Sequence, residues 1–329
     1  MKRVAAFGEV LLTLLPPEHE RVEQAHFFTA RAGGPELSVT AALVRVGVPA
    51  SLVTALPDTP VGRLVAADIR RDGVGDKYIL MRDEGRVGIA FVEVGTGIRQ
   101  SRIFSDREGT AFGRLKEREV PWEKIFPESD HFHISEVTPT LGKSCLEMTK
   151  DGLARAKNLG LTTSLSVTGQ GRTVSDVLVL ETVTPLMEKI DHLITTDREA
   201  SRVFRMKNED HEASARELVG RFNLESCAVI VSHDDPSGKV RFFSLAAAGK
   251  GLLTDKTYET AVIDRAGVAE AFAAGYILGI LSGDIGAGLK AANAMAALAY
   301  TIPGDILSCG QEELAEFSGV RNILTRPRR

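Results

Sequence analysis

The alternation of strands and helices in the second half of the chain most constrains what this sequence folds into. From residue 130 onward, apolar runs of strand length alternate with runs of helix length. This alternation is typical of a parallel sheet that helices cover on both faces. The predicted strands are 131–135, 162–167, 192–196 and 227–232, with another after residue 239, and the predicted helices are 143–158, 177–189, one from 198, 268–281 and 287–301.

The first half of the chain contains a β insertion that does not fit this alternation. Residues 4–15 are apolar and β-rich, 37–46 and 61–71 have helical patterns, and 50–56 reads as a strand. Residues 87–94 and 101–104 are two further β runs, joined through the segment Gly95-Thr96-Gly97. We therefore expect a small second sheet outside the main one, and a loop around the glycine pair Gly33-Gly34.

Composition and charge exclude several classes of protein. A chain of 329 residues with 43% hydrophobic content buries a large core, and its net charge of −4 gives no footprint for nucleic acid or an anionic membrane. The basic run 326–329 is interpreted as a solvated tail, and the three cysteines form no disulfide or zinc pattern. With no apolar run of membrane-spanning length and no signal peptide, we expect a cytoplasmic protein.

The segment 262–272 is the most informative for chemistry. A strand ends near Asp264, a turn with Gly267 follows, and a helix begins with Glu270 in its first turn. Unpaired N–H groups at a helix start favour an anion such as phosphate, and a carboxylate beside them can act as a base. The alternative is a plain turn glycine followed by an ordinary first-turn acid.

Two other segments are weaker candidates. Gly33 and Gly34 before a helix leave room for a polar ligand, although a plain turn has the same pattern. Arg107 offers a guanidinium that pairs a substrate carboxylate bidentately, or simply a surface ion pair. Neither a dinucleotide-binding G-x-G-x-x-G nor a Walker motif is present. A dehydrogenase with a dinucleotide-binding domain is therefore the least favoured interpretation of this sequence.

Taken together, six segments in order resemble the ribokinase-like carbohydrate kinases, and most closely the 2-keto-3-deoxygluconate kinases. The resemblance runs from about Val4 to Asp305. The segments are Phe7-Gly8-Glu9-Val10-Leu11, Ala32-Gly33-Gly34-Pro35-Glu36-Leu37-Ser38-Val39, Asp106-Arg107 with Thr110-Ala111, Phe132-His133-Ile134-Ser135-Glu136-Val137-Thr138-Pro139, Ile263-Asp264-Arg265-Ala266-Gly267, and Thr301-Ile302-Pro303-Gly304-Asp305. The fourth is similar to the family's F-H-x-S-G-I-T-P, and the last matches its T-x-P-G-D.

The resemblance implies a fold, a reaction and an assembly. It implies an α/β fold, a ribokinase-like three-layer α/β/α sandwich with a mostly parallel central sheet plus a small β-sheet lid. It implies one kinase domain over residues 1–329, with the lid formed by about 10–15 and 87–112. The implied reaction transfers the γ-phosphate of ATP, with Mg²⁺, onto a sugar-acid hydroxyl. The implied assembly is a homodimer through the lid.

The resemblance also implies roles for particular residues. Glu270 takes the place of the catalytic base, and the amides of Gly267, Val268 and Ala269 form the anion hole. The metal–phosphate region keeps Glu199. The implied substrate-binding positions are Gly33, Gly34, Ser38, Ala90, Arg107, Val137, Gln170 and Asp305, and the implied nucleotide-binding positions are Thr196, Ser232, Asp264, Arg265 and Gly267.

Several of these positions depart from the family's pattern. Glu270 stands where the family has Asp, Ser38 where it has Asn, and Ala90 where it has a lid Tyr. Residues 166–170, Ser-Val-Thr-Gly-Gln, replace its D-x-N-Y-R stretch. Two readings follow: a sugar or sugar-acid kinase, or a catalytically inactive homologue that binds a sugar acid or nucleotide. In either case we expect Glu270 to face a cleft that Gly34 and Arg107 also line.

Overall fold

The computed structural model describes residues 2–96, 99, 101–116, 118–169, 172–206, 210–235, 237–320 and 323. In these residues the chain forms fourteen strands, eleven α-helices and three short 3₁₀ helices. The strands are β1 Val4–Phe7, β2 Leu11–Leu15, β3 Thr29–Gly33, β4 Ala50–Pro57, β5 Ile79–Arg82, β6 Gly88–Glu93, β7 Arg102–Asp106, β8 His131–Ser135, β9 Thr162–Val167, β10 His192–Thr196, β11 Ser226–Asp234, β12 Lys239–Ala248, β13 Gly251–Thr254 and β14 Tyr258–Ala261.

The helices follow the strands in the order that the sequence pattern predicted. They are α1 Pro35–Arg45, α2 Pro60–Arg71, α3 Trp122–Ile125, α4 Val137–Thr140, α5 Lys143–Asn158, α6 Asp176–Val183, α7 Asp197–Arg202, α8 His211–Phe222, α9 Val268–Ser282, α10 Ile285–Ala299 and α11 Gln311–Ser318. None of the helices in the described ranges is long and apolar enough to cross a membrane.

Ten strands form the large sheet, in the order β13-β12-β11-β10-β9-β8-β1-β4-β5, with β14 paired to β12. The strands from β11 to β5 are parallel, and β12 is antiparallel to β11, β13 and β14. The carboxyl ends of the parallel strands therefore meet at one edge of the sheet, where ligands bind in open α/β folds.

Helices cover both faces of this sheet because alternate residues of each strand point to opposite sides. In β11, Cys227 and Val229 pack in the cluster with α5, α6 and α8, whereas Ala228 and Ile230 pack in the cluster with α1, α9 and α10. The predicted three-layer α/β/α arrangement with a mostly parallel sheet is confirmed.

The small sheet has the order β3-β2-β6-β7 and lies outside the large one, as predicted for residues around 10–15, 87–94 and 101–104. It also contains β3, where the sequence analysis expected a loop. Three of the five residues of β3 are exposed, so no apolar alternation marks it. Instead, β3 is a strand because its backbone pairs with β2, from Thr29 opposite Leu15 to Gly33 opposite Leu11.

Helices α9 and α10 pack closely enough that only glycine fits at their crossing. A Cβ on Gly279 would lie 2.5 Å from the Cα of Gly288, and a Cβ on Gly275 would lie 2.4 Å from the Cα of Ala292. Since α9 is buried from Val268 to Leu281, this contact fixes its axis. The helix start at Gly267 is thereby held in a fixed place.

The sequence analysis missed some elements and merged others. Its helix 177–189 is α6 followed by a 3₁₀ helix at Thr184–Lys189, where Pro185 lacks the N–H that would continue the helix. It assigned no structure to β5, β13, β14, α3, α4 or α11, and its one helix from residue 198 is two separate helices, α7 and α8. Gly97, Gln170 and the basic run 326–329 lie outside the described residues.

Candidate active site

The turn before α9 is built by Asp264 and Gly267. One carboxylate oxygen of Asp264 accepts hydrogen bonds from the N–H groups of Arg265 and Ala266, and the other accepts from Gly304 at 2.9 Å. Gly267 has φ +73°, and a Cβ there would lie 2.1 Å from the carbonyl oxygen of Asp305. The turn therefore needs glycine, both for its backbone conformation and for its close contact with the loop at 304–305.

Glu270 lies in the first turn of α9 with 6% of its surface exposed. Its Oε2 is buried and has no hydrogen-bond partner among the described groups. Burial, together with the charges of Asp305, Glu136 and Glu36, raises the pKa of Glu270 to about 8. A buried carboxyl whose pKa is near the operating pH is suited to accept a proton.

The N–H groups of Val268 and Ala269 lie at the start of the same helix. An α-helix has no internal acceptor for its first N–H groups, and in the described part of the chain no other group accepts from these two. The positive end of the helix dipole lies at the same place. The residues predicted as an anion hole therefore present free donors beside Glu270.

A small polar pocket lies against Glu270. Its lining includes the strand ends of β8 and β9 and the start of α9. The polar residues of this lining are His133, Ser135, Glu136, Ser166, Thr168 and Glu270. Gly34 and Arg107, which the sequence analysis expected in the same cleft, are not among the lining residues, although Pro35 beside Gly34 is.

The predicted substrate-binding residues Gly33, Gly34, Ser38 and Asp305 do come together. The Ser38 hydroxyl lies 3.0 Å from the Gly34 carbonyl oxygen and 3.4 Å from Asp305 Oδ2. A Cβ on Gly33 would lie 2.9 Å from Asp305 Oδ2. Burial raises the pKa of Asp305 to about 6, while hydrogen bonds from the Gly34 N–H and Ser38 lower it.

The predicted substrate residue Ala90 lies on β6 of the small sheet, and Arg107 directly follows the end of β7. Arg107 Nη1 donates to Glu9 Oε2 at 2.7 Å, and its buried Nε has no partner among the described groups. Ala90 lies opposite Thr13 and Ser105 on the neighbouring strands. Thr13 Oγ1 and Asp305 Oδ2 both lie within 3 Å of the Cβ position of Gly33. The side of the small sheet that carries Thr13, Ala90 and Ser105 therefore faces Asp305. This side of the small sheet lies beside Gly33 and Asp305, and its role as a lid stays a prediction.

The remaining predicted substrate residues are Val137 and Gln170. Val137 is buried at the first position of α4, directly after Glu136. Gln170 lies outside the described residues, next to Gly169, whose N–H donates to Glu136 Oε1 at 2.7 Å.

The predicted nucleotide-binding residues lie near the carboxyl ends of β10 and β11 and at the turn before α9. Thr196 caps α7 by accepting a hydrogen bond from the Glu199 N–H at 3.1 Å. Ser232 is exposed near the end of β11. Arg265 Nη2 donates to Asp234 Oδ1 at 2.6 Å, which joins the end of β11 to the turn before α9.

Glu199, the predicted residue of the metal region, is already paired. Its Oε2 accepts a hydrogen bond from Arg172, both side chains are buried, and Arg172 also donates to Asp176 at 2.6 Å. Over the residues that the structure describes, no group of three or more acidic, His or Cys side chains is placed to hold a metal ion. Glu199 is therefore held by Arg172 in this structure, and its place in the metal–phosphate region stays a prediction.

Three buried charged residues of the site were not singled out from the sequence. Glu36 Oε1 accepts from the Ser135 N–H and hydroxyl and from Thr138, with Oε2 unpartnered among the described groups. Glu136 and Arg172 are the other two. Glu36 and Glu136 lie in segments that resemble the family, but only the folded structure shows that both are buried at the site. Arg172 lies beyond the altered stretch 166–170, and no sequence pattern marks it.

Comparison with known proteins identifies the relatives of this chain. The pfkB family carbohydrate kinase pattern matches residues 1–312. The 2-dehydro-3-deoxygalactonokinase of Haloferax volcanii is 28% identical over 312 residues, which cover 94% of this chain and 95% of that protein.

Solved structures are similar over the same length. The 2-dehydro-3-deoxygluconokinase of Thermotoga maritima is 30% identical and covers 97% of this chain and 98% of its own, with a TM-score of 0.91. A fructokinase with bound ATP from Xylella fastidiosa is 18% identical, covers 96% and 97%, and has a TM-score of 0.75, which shows the shared fold. The predicted ribokinase-like fold and kinase resemblance are confirmed, and the inactive alternative has no support. This chain belongs to the pfkB family of carbohydrate kinases.

Proposed function

We propose that this protein transfers the γ-phosphoryl group of ATP to a hydroxyl of a six-carbon 2-keto-3-deoxy sugar acid. The observation that carries the proposal is Glu270, a buried carboxylate with a free oxygen, beside the free N–H groups of Val268 and Ala269. Base and anion hole thus lie within one helical turn, which is what in-line phosphoryl transfer requires.

The proposed step uses residues of this chain only for proton transfer and charge stabilisation. The acceptor oxygen forms a bond to the γ-phosphorus, and the bond between that phosphorus and the bridging oxygen of the β-phosphate breaks, releasing ADP. The hydroxyl proton passes to the Glu270 carboxylate. The N–H groups of Val268 and Ala269 stabilise the charge on the transferring phosphoryl oxygens.

The proposed substrate class rests on two observations. The two relatives named above are kinases of 2-dehydro-3-deoxy acids of galacto and gluco configuration. In this chain, Arg107 directly follows β7 of the small sheet and has a buried Nε without a partner among the described groups. A guanidinium nitrogen in that position suits the carboxylate of a sugar acid.

A substrate panel tests the proposal. ADP release is measured with ATP, Mg²⁺ and 2-keto-3-deoxygluconate, 2-keto-3-deoxygalactonate, gluconate, fructose or ribose. We expect the highest kcat/KM with one of the 2-keto-3-deoxy acids. A preference for a neutral sugar would contradict the substrate class, and the absence of ADP release with every acceptor would contradict the kinase.

We infer further that residues 1–329 act as one kinase domain and that two copies associate through the outer faces of their lids, in the cytoplasm. On the outer face of the lid, Phe104 is 49% exposed and lies opposite Phe91, with Leu12 and Leu14 half-buried on the neighbouring strand. An apolar face of this kind favours a protein contact. The edge strand β7 also has no strand partner on its outer side among the described residues.

A further inference from the structure

Glu136 is a second buried carboxylate in the pocket of Glu270. It follows the last residue of β8, is 1% exposed, and its N–H donates to the carbonyl oxygen of Ser166 on β9 at 2.9 Å. It lines the same pocket as Glu270, Ser135 and Thr168. In the motif that residues 132–139 resemble, this position is glycine, so Glu136 adds a carboxylate that the motif does not contain.

The surroundings of Glu136 hold its carboxylate in one place. Its Oε1 accepts the Gly169 N–H at 2.7 Å, and Gly169 has φ +78°. A Cβ on Gly169 would lie 2.8 Å from Glu199 Oε1, so Gly169 packs tightly against the Glu199–Arg172 ion pair. The carboxylate of Glu136 is therefore fixed by backbone and by a buried network rather than free to turn into solvent.

A buried, ionised carboxylate accepts hydrogen bonds and donates none. Where Glu136 and Glu270 are both ionised in this one pocket, they call for two neighbouring O–H donors, since burying either charge without donors is costly. Two hydroxyls on adjacent carbon atoms supply such a pair. The pocket also presents hydroxyls of Ser135, Ser166 and Thr168, which suit a polyol and not an apolar group.

We propose that Glu136 is a specificity-determining residue that accepts a hydrogen bond from the substrate hydroxyl next to the one that is phosphorylated. The pocket then selects a terminal vicinal diol, with the reacting hydroxyl on Glu270 and its neighbour on Glu136. This inference rests on the proposed function. In a six-carbon 2-keto-3-deoxy acid the two hydroxyls are those on C6 and C5.

Equilibrium binding tests the inference without turnover. Dissociation constants of 2-keto-3-deoxygluconate and its 5-deoxy analogue are measured by calorimetry in the absence of ATP. We expect the wild type to bind the 5-deoxy analogue about 10- to 100-fold more weakly, as for loss of a hydrogen bond to a charged group. Glu136→Gln keeps the side-chain shape and an oxygen that accepts the Gly169 N–H. In this variant we expect the difference in affinity between the two acids to fall below about threefold, because 2-keto-3-deoxygluconate binds more weakly.

Glu93→Gln is the matched control. Glu93 is also a buried glutamate that accepts one backbone N–H, from Val22 at 3.0 Å, but it does not line the pocket. This variant should keep the wild-type ratio. Glu136→Ala, checked for its melting temperature, serves as a second variant in case Glu136→Gln does not fold.

The outcomes separate this inference from the proposed function. The inference is overturned if the wild type binds 2-keto-3-deoxygluconate and its 5-deoxy analogue equally well. It is also overturned if the Glu136 variants lose affinity for both acids equally. Phosphorylation of both acids with equal kcat/KM by the wild type would also overturn it while leaving the kinase intact. Conversely, a wild type that discriminates in binding but releases no ADP would overturn the proposed kinase and support the role of Glu136.

Discussion

At the scale of single residues, the site is an unusual concentration of buried acids. Glu36, Glu136, Glu270 and Asp305 all have raised pKa values, for each of which burial is the largest cause. Burial raises the pKa of Glu136 to about 7 and that of Glu270 to about 8, and the charge of Glu136 contributes to the rise at Glu270. Near neutral pH both carboxyls of this pair are therefore partly protonated.

The pH dependence of activity follows from this pair. Glu270 must be deprotonated to accept the hydroxyl proton, so kcat/KM should rise with pH and level off above an apparent pKa near 8. A pH–rate profile from pH 5 to 9.5 measures it, with melting temperatures recorded across the same range to exclude unfolding. An acid limb near the ordinary glutamate pKa of about 4.3 would contradict the buried-base assignment.

At the scale of elements, the turn at Gly267 positions the start of α9. Gly267→Ala places a Cβ 2.1 Å from the Asp305 carbonyl oxygen, in addition to the strain of φ +73°. Gly283, at the other end of α9, has φ +75° with no atom within 4 Å of its Cβ position, so Gly283→Ala carries the backbone strain alone. We expect Gly283→Ala to cost about 1–2 kcal/mol of unfolding free energy and to keep activity.

Gly267→Ala should cost more than Gly283→Ala and should also lower kcat/KM at least tenfold, because it moves the anion hole relative to Asp305. Denaturant unfolding and ADP release measure the two effects. Equal stability losses in both variants, with activity retained in both, would show that the contact between Gly267 and Asp305 does not position the site.

The crossing of α9 and α10 gives a second comparison between glycines. Gly279→Ala would bring a Cβ to 2.5 Å from Gly288, whereas Gly220 in α8 has no atom within 4 Å of its Cβ position. We expect Gly279→Ala to lower the free energy of unfolding by about 1–3 kcal/mol through overpacking. Gly220→Ala should raise it by about 0.5–1 kcal/mol, because alanine favours the helix interior. A stabilising Gly279→Ala would mean that the two helices separate easily.

At the scale of the whole molecule, we propose that the two faces of the small sheet have different tasks. One face is proposed to cover the site, and the opposite face carries Phe104. We expect Phe104→Asp to convert a homodimer to a monomer, because it places a charge in the proposed contact. Light scattering after size exclusion at micromolar concentration measures this. Met81→Asp, at a residue 43% exposed on the edge strand β5 of the large sheet, is the matched control and should stay dimeric. A monomeric wild type would contradict the lid contact.

The sequence predicted the centre of the fold better than its edges. Strands β8, β9 and β10 were predicted with their observed bounds because they are buried on both faces and read as continuous strand-forming runs. Strand β3 was missed because its order comes from pairing with β2, and β13 and β14 are short strands that depend on β12. Pairing partners distant in sequence are not visible in a local pattern.

The site was predictable only where one segment carries it. Glu270 and its anion hole lie on one turn and helix, so their proximity followed from local sequence. Glu136 lines the same pocket as Glu270 because the end of β8 lies near the start of α9, and nothing in residues 132–139 alone shows that proximity. The pairing of Arg172 with Glu199, across 27 positions, likewise appears only in the folded chain.

The product of the reaction tests the central claim most directly. Wild type and Glu270→Gln are incubated at pH 8 with ATP, Mg²⁺ and a 2-keto-3-deoxy sugar acid, and phosphorus NMR follows the appearance of a sugar phosphate monoester and ADP. We predict that the wild type forms the monoester and that Glu270→Gln forms it about 10²- to 10⁴-fold more slowly, while its affinity for ATP is unchanged. The account would be contradicted by a Glu270→Gln variant as fast as the wild type, or by a wild type that forms no monoester from any sugar acid.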